Sequence, residues 1–451
     1  MKRIIFLVIL SLVINGCSES SGSGTIVPPP VDNEKPVAVD DIVNTIEDDE
    51  LVLADLLSND TVITGARITS FDASSTKGGT IVDNRNGTYS YVPPSSFVGQ
   101  DSFTYTLCDN DTNPDCSTAT VTITVSDEGS PNAVNDEKST VKNMTVLIDN
   151  YLENDNLLDD STINTIDDTS STGTVVLNAN GTISYTPQNN FVGDDSFNYT
   201  ICDDDAPNPT CATATITVSI LEPISFNIPS DISTYYQNLA VTTDTDLNYT
   251  FIGDHTIDNH TTILIYTQRH DYLYDADEDP ANTANVILMY TSESRDEREY
   301  DSPSNPYSPK TFNTEHVYPQ SKLSTDDAVT DLHHLRSCDT DINSERSNYP
   351  FVAGSGTYQL VNNNQWYPGD EWRGDVARMI MYLNIRYGET FEDVGTLDLF
   401  LEWNATDPVS AFEIQRNNII QGAQGNRNPF IDNPYLATLI WGGTPAENKW
   451  E

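Results

Sequence analysis

Two stretches of the N-terminal half repeat each other at a nearly fixed offset, and this limits the fold more than any other feature of the 451 residues. Pro36-Val37-Ala38-Val39-Asp40-Asp41 recurs as Pro131-Asn132-Ala133-Val134-Asn135-Asp136, and Asn59-Asp60 recurs as Asn154-Asp155. Asn86-Gly87-Thr88-Tyr89-Ser90-Tyr91 returns as Asn180-Gly181-Thr182-Ile183-Ser184-Tyr185, and Phe97-Val98-Gly99-Gln100-Asp101-Ser102-Phe103 as Phe191-Val192-Gly193-Asp194-Asp195-Ser196-Phe197. The Thr/Val alternation of Ala119 to Val125 marks a half-buried antiparallel strand. Asn-Gly between strands is a strong hairpin signal. Two modules, 36–127 and 131–220, of about 95 residues and many short strands are therefore expected to be β-sandwiches.

The chain opens with basic Met1-Lys2-Arg3, an apolar run from Ile4 to Ile14 and the small-residue end Asn15-Gly16-Cys17. This reads as a secretory signal peptide over 1–16, too short for a spanning helix. Its end resembles a bacterial lipobox, which implies lipidation of Cys17 and a membrane contact through that anchor only, on the outer membrane or cell surface. Residues 17–35, rich in Ser, Gly and Pro, read as a flexible tether. Export places the cysteines in an oxidising compartment. Cys108/Cys116 and Cys202/Cys211 hold matching places in the two modules, so the pairs Cys108-Cys116 and Cys202-Cys211 are expected, with Cys338 left as a free thiol. Each pair flanks an acidic loop, Asp109-Asn110-Asp111-Thr112 or Asp203-Asp204-Asp205, which is either solvated or holds a structural Ca²⁺. The modules resemble bacterial Ig-like or cadherin-like tandem repeats of surface proteins.

The C-terminal part, 222–451, carries the chemistry. Asn313-Thr314-Glu315-His316-Val317 is followed by Asp331-Leu332-His333-His334-Leu335, then by Asn343 and Arg346-Ser347-Asn348. A carboxylate next to an imidazole, with an amide oxygen downstream, suits metal-assisted phosphodiester hydrolysis. Hard oxygen ligands hold a divalent cation that neutralises phosphate charge, and a neutral imidazole takes a proton from water. Successive strand residues face opposite ways, so Glu315 and His316 can share a site only at a strand end or bulge, and Pro319 just beyond is compatible with an end. There is no H-E-x-x-H, paired C-x-x-C or G-x-S-x-G, which argues against a zinc protease and a serine hydrolase.

At these residues the chain resembles the endonuclease I family of secreted bacterial nucleases. The blocks Arg373-Gly374-Asp375-Val376-Ala377-Arg378, Asp407-Pro408-Val409, Glu413, Arg416-Asn417 and Gln424-Gly425-Asn426-Arg427-Asn428-Pro429-Phe430 follow in the family's order. The resemblance implies a multidomain chain: two all-β Ig-like sandwiches, then an α+β nuclease domain with a ββα-metal (His-Me finger) active site. It implies His316 as general base and Glu315 and Asn343 as metal ligands. The cation would be Mg²⁺ first, with Ca²⁺ or Mn²⁺ as alternatives. Arg336, Arg346, Arg378 and Arg427 are candidate phosphate contacts. His334 departs from the family, where Asn is frequent, and the family's transition-state Arg has no clear counterpart between His316 and Asn343.

His255, His260, His270, His333 and His334 read as structural. Asp375 to Tyr387 places Val376, Met379, Ile380, Leu383 and Tyr387 on one helical face with Gly388 as the stop, while Val286 to Tyr290 and Thr262 to Thr267 read as strands. The net charge of −48, from 69 acidic residues against 21 Lys and Arg, is unlike a tight nucleic-acid binder. From Leu221 onward there are 36 acidic residues and 13 Lys plus Arg, so turnover with local charge is expected rather than a processive grip. The expected activity is an extracellular metal-dependent endonuclease on DNA, with RNA as a further substrate, little sequence specificity and no obligate protein partner. The alternative is a surface adhesion or calcium-binding protein with an inactive nuclease-like domain.

Overall fold

The computed structural model describes residues 34–205 and 208–451. The signal peptide, Cys17 and nearly all of the tether fall outside these residues. The described chain divides into two units, the first repeat with Asp204–Thr210, and the second repeat with the C-terminal half.

Each repeat is a sandwich of a four-stranded and a three-stranded sheet. In the first, Asp41–Ile46, Cys116–Ser126, Gly99–Cys108 and Arg67–Phe71 lie side by side, and Leu51–Leu53, Tyr89–Val92 and Thr80–Asp83 form the second sheet. In the second repeat the corresponding strands are Asp136–Val141, Cys211–Leu221, Gly193–Cys202 and Thr162–Asp167, with Val146–Ile148, Ile183–Thr186 and Thr174–Leu177. The alternation puts Phe103, Tyr105, Leu107, Val121, Ile123 and Val125 inside, each worth about 1.5–3 kcal/mol when fully buried. The sheets are not wholly antiparallel. The first strand of each repeat pairs in parallel with the last, Asp41↔Val121 and Asp136↔Ile216.

Repeated polar residues also have repeated duties. Asp101 accepts from Tyr91 Oη at 2.7 Å and Lys77 N at 2.8 Å, and Asp195 accepts from Tyr185 Oη at 2.6 Å and Ser171 Oγ at 2.9 Å. Burial opposes the charge of Asp195, but these donors and the Thr172 and Gly173 amides hold its pKa at about 2. Gly87 and Gly181 take φ +92° and +85° at the Asn-Gly turns, a region open to glycine. Both expected disulfides, Cys108–Cys116 and Cys202–Cys211, are present, and Cys338 is free and buried. In the first acidic loop Asp109 Oδ1 accepts from the amides of Asp111 and Asp115 at 3.1 and 3.2 Å, so the loop caps itself.

The C-terminal half is mixed α and β. Its helices are α1 (Thr245–Asp258), α2 (Arg269–Ala276), α3 (Asp326–Val329), α4 (Thr340–Arg346), α5 (Arg373–Tyr387), α6 (Leu397–Thr406) and α7 (Ala411–Gln424), with two short ones after them. Helix α5 stops at Gly388, φ +73°, as the spacing predicts. It is not a one-faced helix, however. Ala377, Arg378, Met381, Tyr382 and Ile385 are buried along with Val376, Met379, Ile380 and Leu383 of the expected stripe, while Tyr387 is half-buried, because elements pack around α5 and its polar residues find interior partners. The strand expected at Val286 to Tyr290 lies at Asn282–Ile287, and Met289 forms an isolated bridge to Cys338. Thr262 to Thr267 is not a strand. Leu264 alone is buried, while Ile263, Ile265 and Tyr266 are exposed, so the segment neither alternates nor pairs with a neighbouring strand.

Candidate active site

Strands Phe312–His316 and Leu335–Asp339 form an antiparallel pair, with Glu315 opposite Arg336 and His316 opposite Leu335. Helix α4 follows at once, its first turn capped by Asp339 Oδ1 accepting from Asp341 N at 2.9 Å and Ile342 N at 3.1 Å. Asn343 docks this helix on the first strand. Its Nδ2 donates to Asn313 Oδ1 at 2.7 Å and to Thr314 O at 3.3 Å, so the amide nitrogen, not Oδ1, makes the docking bonds. Strand, strand and helix thus gather Glu315, His316 and Asn343 into one ββα unit.

His316 is the last residue of its strand. Its Nε2 lies 3.1 Å from Val329 O at the end of α3. A carbonyl can only accept, so Nε2 carries the proton and Nδ1 carries the lone pair. Ala328 O holds His334 Nε2 at 2.7 Å in the same way, so two carbonyls at the end of α3 fix two imidazoles. Burial, with the neighbouring His334 and Arg269, lowers the His316 pKa to about 3. The ring is therefore neutral near pH 7. Tyr266 lies parallel to it, 6.3 Å away with 9° between planes, and His334 is 5.6 Å away.

Glu315 alternates to the other side of the strand, the side shared by Asn313. It is 3% exposed, accepts from Tyr290 Oη at 2.9 Å and pairs with Arg346 Nε at 2.8 Å. Burial raises its pKa to about 7, against the pull of Arg346 and Tyr290 and of the His316 amide. A carboxylate offers about four lone-pair directions, and three donors leave room for a further ligand. With Asn343 Oδ1 this gives two oxygen donors of the kind a hard divalent cation takes, so the residues fit such an ion.

The four arginines expected at phosphate are interior braces instead. Arg336 Nε meets Asp277 at 3.0 Å, Arg378 makes a two-pronged pair with Glu413 at 2.6 and 2.9 Å, and Arg427 grips Asp432 at 2.6 and 2.7 Å. Arg346 holds Glu315 and the carbonyls of Val317, Ser347 and Tyr349. All four are 0–2% exposed. Their charge is spent on carboxylates that sequence order hides. Asp277, fully buried, binds both Arg336 and Arg416 and accepts from Ser337 N at 2.6 Å. Sequence reasoning missed Asp277, the Val329 carbonyl, Tyr266 and Arg269. None of these falls in the motif blocks, and only the Tyr266-x-x-Arg269 spacing into α2 hints at the last two.

The Endonuclease I model matches residues 253–435, and the bacterial Ig domain model matches 33–124 and 128–220. An extracellular ribonuclease of Bacillus amyloliquefaciens is 38% identical over 237 residues, 47% of this chain and 79% of the relative. An extracellular ribonuclease of Bacillus subtilis is 36% identical over 47% of this chain and 80% of its own length. An extracellular deoxyribonuclease of Aeromonas hydrophila is 30% identical over 23% of this chain and 49% of the relative. The family's blocks lie in the half that holds the ββα unit, and the chain belongs to the endonuclease I family of phosphodiester-cleaving nucleases, with two bacterial Ig domains before the enzyme.

Proposed function

We propose that the protein is an exported, metal-dependent endonuclease that cleaves nucleic acid strands with little sequence preference, its active site formed by His316, Glu315 and Asn343. The observation that carries this is the Val329 carbonyl on His316 Nε2. It fixes the tautomer in which Nδ1 is a base, at the end of a strand whose other face brings a carboxylate and an amide oxygen. Nδ1 takes the proton of the attacking water. Glu315 and Asn343 would hold a divalent cation, Mg²⁺ first, whose chemistry is to neutralise phosphate charge and the leaving oxygen. Tyr290 and Arg346 orient Glu315, and Asn313 orients Asn343. Direct base readout needs polar side chains that reach base edges, and the motif residues given roles here act on the phosphodiester.

Names of relatives point to both RNA and DNA, and both are proposed as substrates. Export follows from the signal-like N-terminus and the two disulfides, with Cys17 as the lipid anchor and the repeats as a stalk. Structural Ca²⁺ in the repeats is a further proposal; a melting temperature of the repeats that ignores EDTA would refute it.

The deciding experiment is cleavage of supercoiled plasmid and of single-stranded RNA by the full chain, with Mg²⁺ or EDTA, beside His316→Ala. Cleavage should need the metal and fall by roughly 10²–10⁴ in the variant, the range of a lost general base. Metal-independent cleavage, or an unchanged rate in the variant, would overturn the mechanism. No cleavage of either substrate by folded wild type would favour the binding-protein reading.

A further inference from the structure

The C-terminal half buries six arginines, Arg269, Arg336, Arg346, Arg378, Arg416 and Arg427. Five of them pair with a carboxylate, namely Asp277 for Arg336 and Arg416, Glu315 for Arg346, Glu413 for Arg378 and Asp432 for Arg427. Arg269, 8% exposed, has no carboxylate within ion-pair distance among the described residues. Its Nε is buried without a hydrogen-bond partner. Its guanidinium carbon sits 3.4 Å over the ring of Tyr266, and Nη1 donates to the Tyr266 carbonyl. That ring is the one parallel to His316.

A buried cation without a counter-charge weakens a fold, and a local rule broken without compensation within the fold points to a functional site. The chain has a large excess of acidic residues, so a structural partner would have been easy to supply. Burial depresses the Arg269 pKa, opposed only by Tyr266 and Tyr274. The approach is open, because Tyr266 is 44% and Ile265 62% exposed.

We infer that Arg269 is the phosphate-binding cation of this site, presented beside His316 by Tyr266, and that its ligand is the non-bridging oxygens of a phosphodiester. This rests on the nuclease reading for its substrate, though not for its charge argument. A guanidinium can grip two such oxygens at once. It would bind backbone and not base, which gives positioning without sequence preference. Arg269 lies 47 residues before His316 in the chain, outside the interval between the base and Asn343.

The test uses the full chain, with Arg269→Met, Arg269→Lys and, as a structural control, Arg416→Met. Melting is followed by tryptophan fluorescence in EDTA, with and without inorganic phosphate or a single-stranded 12-mer, and kcat and KM are measured with metal. Arg269→Met should melt at or above the wild-type temperature, lose the rise given by phosphate and by the 12-mer, and lose 10²-fold or more in kcat/KM. Arg269→Lys should recover part of both losses, whereas Arg416→Met should melt lower. The inference is overturned if Arg269→Met is destabilised like Arg416→Met, or if it keeps the wild-type response to phosphate and the 12-mer. A wild type that cleaves nothing would refute the nuclease reading, while the phosphate response would still decide Arg269.

Discussion

Acidification should loosen the nuclease domain well before its carboxylates titrate in the usual range. His316 is half-buried and His333 buried, and desolvation lowers their pKa values to about 3 and about 4. A histidine depressed on folding stabilises fully above its unfolded pKa of about 6.5, and that stability is lost as pH falls towards the folded value. Between pH 7 and pH 5 each of the two should lose about 2 kcal/mol. Glu315 works the other way. Its folded pKa of about 7 weakens the fold while the group is ionised, and protonation from pH 7 to 5 returns about 2 kcal/mol. Asp331, held well below the carboxylate range by His333, His260, Gln424 and Tyr382 despite burial, loses its contribution only below its ordinary pKa and adds nothing in this window. Together these three groups lose about 2 kcal/mol, or roughly 4–8 °C in Tm for a domain of this size; burial also lowers His255, His260, His270 and His334, which adds to the loss, and raises Asp375, which offsets part of it. All five tryptophans, Trp366, Trp372, Trp403, Trp441 and Trp450, lie in the nuclease domain, so their fluorescence reports it without the repeats. Melting at pH 7, 6 and 5 at fixed ionic strength gives the slope. Glu315→Gln removes an opposing group and should deepen the loss by about 2 kcal/mol. A Tm that stays level or rises towards pH 5 in Glu315→Gln would refute the assignment of His316 and His333 as neutral rings.

Glu413→Gln should destabilise the nuclease domain by about 3–5 kcal/mol, because Arg378 would be left buried without its charge partner; the urea midpoint of tryptophan fluorescence measures it, and a change under 1 kcal/mol would contradict the buried pair. Asn343→Ala should raise the metal concentration for half-maximal cleavage several-fold. Its stability in EDTA should fall by no more than the roughly 1 kcal/mol of a lost hydrogen bond to Asn313, and unchanged metal dependence would remove Asn343 from the ligand set.

What was legible in the sequence was local or repeated. The 94–95-residue offset gave the two sandwiches, matching cysteines gave the disulfides, and the Glu315-His316 pair with Asn343 marked the ββα unit, because these signals depend on neighbours within one hairpin. The arginines failed as phosphate contacts for the opposite reason. Arg336 and Arg416 meet Asp277 across 59 and 139 residues, and no spacing announces such a pair. Tyr382 and Arg378 occupied positions on α5 that a helical wheel assigns to solvent, yet Tyr382 Oη donates to Asp331 at 2.6 Å and Arg378 to Glu413. Interior polar networks defeat amphipathic patterning, since their members satisfy one another at a distance.

Those same networks bear on how an acidic enzyme handles a polyanion. Pairing the buried arginines with carboxylates removes five of the domain's thirteen Lys and Arg from any encounter with substrate. Surface cations are partly cancelled too, Arg295 by Glu293 and Asp339, and Arg298 by Asp296. A field built this way cannot draw nucleic acid from a distance. Binding must come from short-range contacts, where a charge kept free of carboxylates and shielded from water acts most strongly. Among the described buried arginines, Arg269 alone meets that condition, and it lies next to the Tyr266 ring that parallels His316. The other five buried arginines brace the interior through their carboxylates.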